Sequence, residues 1–197
     1  MRNRMMVGLC LLGLTIGLLG GCGESAELKL QRAQIALSSG KPDQALQMAE
    51  SVLKEKPSDP LAMEYKARAQ LQLLRLGDSR KTIDALLKAQ PDSVAARRLM
   101  ADWTFRQMGH LLGQSDFLTN PQVQTQFDDA LATGLQQADW MEKHDKGSVT
   151  ALYLRARYAD TDYIRTDALL KKAQTKLDQA KIDGGPDLDD FRDTGII

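Results

Sequence analysis

Ala33, Ala67 and Ala101 stand 34 positions apart in this chain, Pro57 and Pro91 keep the same interval, and so do Leu37, Leu71 and Phe105. A fixed period of this length marks one supersecondary unit stacked on copies of itself, each unable to bury its apolar face alone. Which unit repeats is indicated by composition. Aromatic residues make up only 5% of the chain, while Ala, Leu and Gln abound, which favours helices over a sheet rich in Val, Ile, Thr and aromatics. The fold class expected is therefore all-α, built from helical hairpins, with no strand.

Local patterning places those hairpins. Leu30, Ala33 and Leu37 fall at i, i+3 and i+7, and Ser39-Gly40 then stops the helix, glycine being able to take the left-handed conformation of a C-terminal cap. Pro42 suits the first turn of the next helix, where Ala45, Leu46, Ala49, Val52 and Leu53 form an apolar stripe before Pro57 ends it. One period later Ala67, Leu71, Ile83, Leu86, Leu87 and Pro91 take the corresponding places, with Leu74 where the turn glycine stood and Ser79 in place of Ala45. A third first helix begins near Ser93, a longer connection is expected over 109–120, and the next helix opens at Asn120-Pro121, a good N-cap followed by a good first residue. The spacing predicts a fourth pair of helices, from Ser148 to Ala159 and from Asp162 to about Ile182.

The segment Gly40-Lys41-Pro42-Asp43-Gln44-Ala45 with Pro57, and Ala33 at the helix crossing, resembles a tetratricopeptide repeat. That resemblance implies a right-handed α-α superhelix of about four hairpins over residues 28–182, whose first helices line a concave face that receives peptides or partner helices. Rows repeating by 34 positions would then bring Gln34, Arg68 and Asp102 together, Glu64 beside Arg98, and Leu37 beside Leu71 and Phe105. With Arg75 and Arg106 added, these ten residues form the candidate partner-binding groove, and its arginines could fork onto a partner carboxylate. The same charges would also serve as solvated helix faces.

The N-terminus suggests where such an array works. Arg2 and Arg4 precede an apolar run over 5–19 and then Gly20, Gly21 and Cys22, the order of a secretory signal peptide and too short for a comfortable membrane span. Leu19-Gly20-Gly21-Cys22 resembles the lipobox of bacterial lipoproteins, which implies that residues 1–21 are cleaved and that Cys22 carries lipid at the head of a tether over 22–27. A plain signal peptide, or an inner-membrane anchor, with Cys22 incidental is the alternative. Two or more acyl chains give stable anchoring. Gly23 is not the aspartate that retains such proteins at the inner membrane of enteric bacteria, so the resemblance implies the outer membrane, facing the periplasm. Residues 183–197, with Gly184-Gly185-Pro186 and then acids, read as an acidic disordered tail.

Other function classes find little support in the residues. The 26 basic and 26 acidic residues balance, so no general attraction to nucleic acid is expected. His110 and His144 have no Cys or His neighbour at metal-ligand spacing, Asp128-Asp129 and Asp189-Asp190 do not converge, and no phosphate loop or nucleophile elbow occurs. The reading is a non-catalytic scaffold for protein partners in the envelope, with no cofactor and no metal. A glycan- or small-molecule-binding accessory is the alternative, or a structural subunit of an envelope complex. The former would want several aromatics in the groove, where only Phe105 qualifies.

Overall fold

The computed structural model describes residues 24–144 and 149–182, so the expected signal peptide, Cys22 and the acidic tail lie outside the described residues. These residues form seven helices: α1 (Ala26–Ser38), α2 (Pro42–Glu55), α3 (Pro60–Gln72), α4 (Leu76–Ala89), α5 (Val94–Leu112), α6 (Pro121–His144) and α7 (Val149–Ile182). Among the described residues there is no strand.

The period governs the helix ends as well as the core. Ser25, Asp59 and Ser93, each 34 positions from the last, cap α1, α3 and α5. Their side chains accept from the N–H groups of Leu28, Ala62 and Ala96 at 3.2, 2.9 and 3.3 Å, satisfying a donor the helix cannot. Inside, Ala33 and Ala67 are fully buried and Ala101 almost so, because close helix crossings leave no room for a larger side chain. Ser79 is buried where the first repeat has Ala45, and its hydroxyl donates to the Leu76 carbonyl at 3.0 Å, so no polar group is stranded.

The turn without a glycine is the same turn. Gly40 has φ 68° and Leu74, its counterpart, has φ 56°. The Gly40 and Leu74 N–H groups donate to Leu37 and Leu71, and those of Lys41 and Arg75 to Ala36 and Gln70, which is the hydrogen-bond pattern of a left-handed helix C-cap in both copies.

After α5 the copies diverge. Helix α5 runs to Leu112 rather than ending near Gly109, because Thr104, Met108 and Leu111 extend its buried stripe. The connection after it turns Phe117 inward against Phe127, edge to face at 5.6 Å between ring centres. The expected fourth pair is instead one continuous helix of 34 residues. Asp160-Thr161-Asp162 contains neither Gly nor Pro, the hydroxyls of Thr161 and Thr166 turn back onto the carbonyls of Arg157 and Asp162, and Asp162 pairs with Arg165 instead of capping a new helix. The array is therefore three hairpins and a single long helix.

Neighbouring helices pack in sequence, and α1 also touches α3, α3 touches α5 and α5 touches α7, whereas α2, α4 and α6 do not touch one another. First helices thus share one face of the stack. Three apolar clusters succeed each other along it, centred on α1–α3, on α3–α5 and on α5–α7.

Candidate functional site

The shared face carries a groove of about 470 Å³ crossing α1, α3 and α5. Gln34, Leu37, Arg68, Arg98, Asp102 and Arg106 line it, which is six of the ten residues expected there. Gln34 is held by the Tyr65 hydroxyl, which donates to its Oε1 at 3.3 Å. Burial, with the Glu64 carboxylate second, raises the Tyr65 phenol above its ordinary value, so it stays a neutral donor. Arg68 pairs with Glu64 at 2.6 Å and Arg106 with Asp102 at 3.1 Å, each one helical turn apart. Arg98 engages no acid among the described residues.

The lining therefore carries three guanidinium groups against the one carboxylate of Asp102, with Leu37 and Leu99 as its apolar part. Fork-shaped donors of this kind bind carboxylates bidentately, and those already paired in-helix keep their orientation when a second anion arrives.

Four expected residues lie elsewhere. Leu71 is 1% exposed in the core between α3, α4 and α5, because the residue one step from Leu37 meets α5 instead of solvent. Arg75 sits at the α3–α4 turn and reaches toward Asp43 of α2 at 3.8 Å, away from the groove. Glu64 contributes through its ion pair to Arg68 rather than by lining the groove. Phe105 stacks on Tyr158 at 4.2 Å between ring centres, and the Arg157 guanidinium covers it at 4.5 Å, so its faces are taken.

Ser38, Gln72, Ala95 and Leu99 also line the groove and were not anticipated. Ser38, Gln72 and Arg106 are themselves a row of period 34, so the repeat could have found the first two. Beside this groove a second hollow of about 510 Å³ shares Arg106 and is lined by Leu74, Leu76, Gln107, His110 and Gln126 among others. Trp103 and Trp140 are packing residues: the Trp103 indole donates to the Leu76 carbonyl at 2.9 Å, and Trp140 stacks on His144 under Arg97.

Residues 36–102 match the tetratricopeptide repeat family. The match begins inside α1 and ends inside α5, so it spans the stretch in which caps, turns and core all keep the 34-residue interval and stops where the copies diverge. Tetratricopeptide repeats generally mediate protein–protein interaction, and domains built of them are typically non-catalytic scaffolds. No curated protein and no solved structure matches the chain. Among the described residues there is no group of three or more His, Cys, Asp or Glu that could hold a metal ion, and no helix long and apolar enough to cross a membrane.

Proposed function

We propose that this protein is a non-catalytic scaffold that binds a protein partner across α1, α3 and α5, and that lipid on Cys22 holds it in the bacterial envelope, at the periplasmic face of the outer membrane. The observation that carries the binding part is the convergence of Arg68, Arg98 and Arg106 on one groove with Asp102 as its acid, Arg98 having no counter-ion among the described residues. A partner segment bearing a carboxylate, with an apolar side chain for Leu37 and Leu99, fits that lining. The anchoring part rests on Arg2, Arg4, the apolar run and Leu19-Gly20-Gly21-Cys22.

Two experiments test the two parts separately. Capture of envelope proteins by the native chain, compared with Arg68→Glu plus Arg98→Glu, should lose its main partner in the double variant, and equal capture by both would remove the groove. Labelled palmitate should enter the native chain and not Cys22→Ala; label that persists in the variant would remove the anchor. A glycan ligand is less well served by this site, because no aromatic is among its lining residues: Tyr65 is buried behind Gln34, and Phe105 is already stacked on Tyr158 and covered by Arg157.

A further inference from the structure

Among the described residues, helix α7 presents an uncovered apolar seam. Its inner side, with Ala151, Leu154 and Tyr158, is buried against α5 and α6. On the opposite side Leu152, Tyr163 and Leu170 are 59%, 68% and 65% exposed. Together with Ala156, Ala159 and Thr166, also exposed, they recur at alternating steps of four and three residues, and the sequence keeps that spacing at 173, 177 and 180. An apolar seam sustained over about four heptads is the pattern that pairs helices in a coiled coil. Every earlier first helix of the stack is followed by a second helix that covers it, and among the described residues α7 has none.

We infer that a second copy of this chain docks on this seam, with the two α7 helices antiparallel. Size and charge both select that arrangement. Parallel pairing would set Tyr163 on Tyr163 and Leu170 on Leu170 while alanine met alanine, leaving layers alternately crowded and empty. It would also set Asp162 beside Asp167 of the other copy, so that neither carboxylate gains a cation beyond its own in-helix partner, Arg165 or Lys171. The one favourable parallel contact, Arg155 with Asp160, is weakened because Arg155 is already held by Asp139 and Glu142 of α6 at 2.6 and 2.7 Å.

Antiparallel pairing about a two-fold axis near position 168 puts Leu170 on Thr166 of the second copy and Thr166 on its Leu170, large against small in both of these layers beside the axis. It also faces Asp162 with Lys176 of the second copy, twice by symmetry. Lys176 is exposed and has no acidic partner in its own chain among the described residues. Asp167, which meets its own copy near the axis, is neutralised within the helix by Lys171 at 2.8 Å.

The test is cross-linking of the full chain in bacterial membranes with a short bismaleimide, on a Cys10→Ser background, the chain without an added cysteine giving the control. Asp167→Cys lies beside the axis and should give a species of twice the mass. Leu152→Cys should not, since antiparallel pairing holds the two copies of that position roughly 45 Å apart at about 1.5 Å of rise per residue. Adding Tyr163→Asp and Leu170→Asp, both at exposed positions, to Asp167→Cys should return the cross-link to background while helicity by circular dichroism stays unchanged. The inference is overturned by a monomer at Asp167→Cys, including one whose seam is covered by residues 183–197 or by another protein. Stronger cross-linking at Leu152→Cys, or a cross-link that survives the two aspartates, overturns it equally.

Discussion

Gly134 of α6 lies directly against the ring of Tyr158 of α7, so that a Cβ on residue 134 would fall inside the ring's van der Waals surface. That contact fixes the spacing of the last two helices. Tyr158 is fully buried there, and its hydroxyl meets Thr104 Oγ1 at 2.7 Å, while Thr104 in turn donates to the Ala101 carbonyl at 2.7 Å. Gly134→Ala should destabilise the protein by about 1–3 kcal/mol through overpacking. In a Tyr158→Ala background the same change should cost much less, because its obstacle is gone; chemical denaturation of the four variants measures the coupling.

Tyr158→Phe removes the hydroxyl pair and should cost about 1 kcal/mol, since the Thr104 hydroxyl keeps its own bond to Ala101. The same phenol predicts an alkaline effect. Burial first, against an opposing hydrogen bond from Thr104, pushes it from the ordinary 10 up to about 12, so the folded protein favours the neutral form. Its contribution is complete below pH 10 and is lost as pH rises through about 12. Ultraviolet titration should reveal a phenol ionising near pH 12 in the native protein and not in Tyr158→Phe.

Leu74 is 65% exposed yet sits at φ 56°, where a side chain collides with the backbone. Leu74→Gly relieves a strain of about 1–2 kcal/mol and raises the chain's unfolded entropy by part of that, for a net gain of about 0.5–1 kcal/mol. Gly40→Leu, the reverse change in the first repeat, should lower the melting temperature. Opposite shifts in the two thermal scans are the expected result.

Lys29 of α1 donates to Glu55 of α2 at 2.6 Å, and that hydrogen bond, with the lysine's charge, holds the Glu55 carboxyl below the usual range. A depressed carboxyl contributes stability above its unfolded value and loses it as pH falls through the folded one. Glu55→Gln should therefore narrow the difference in stability between neutral and mildly acidic solution, by a small amount because the pair faces water. Denaturation midpoints at the two pH values check it.

Arg98→Ala removes a side chain that is exposed and has no counter-ion among the described residues, so the variant's stability should stay within about 0.5 kcal/mol of the native value. Partner capture should nevertheless fall, and fall more at low salt than at high, as screening already weakens the native interaction. Binding isotherms at two ionic strengths, run beside thermal melts, separate the two effects.

The first two repeats were legible because each rule there is local. Ser39-Gly40, Pro42, Pro57 and Pro91 punctuate the helices, and apolar residues at 3.6 spacing mark the faces they bury. The candidate groove was legible in part: rows such as Gln34, Arg68 and Asp102 converge because equal repeats place equal positions alike. Leu71 and Phe105 broke from their row because exposure depends on the next helix over, which the period does not encode. The unbroken run of α7 was missed for a related reason. Asp160-Thr161-Asp162 has the composition of a helix start but nothing that forces one.

Sequence by itself determined the unit, its 34-residue length, its caps and the small residues at its crossings, since each depends on a few neighbours along the chain. Tertiary structure alone decided which charges share a groove, that Leu74 accepts a left-handed turn, and that Gly134 and Tyr158 lock the final helix in place. Those outcomes depend on close packing between segments far apart in the chain. There a single atom, such as a Cβ on residue 134, decides what fits.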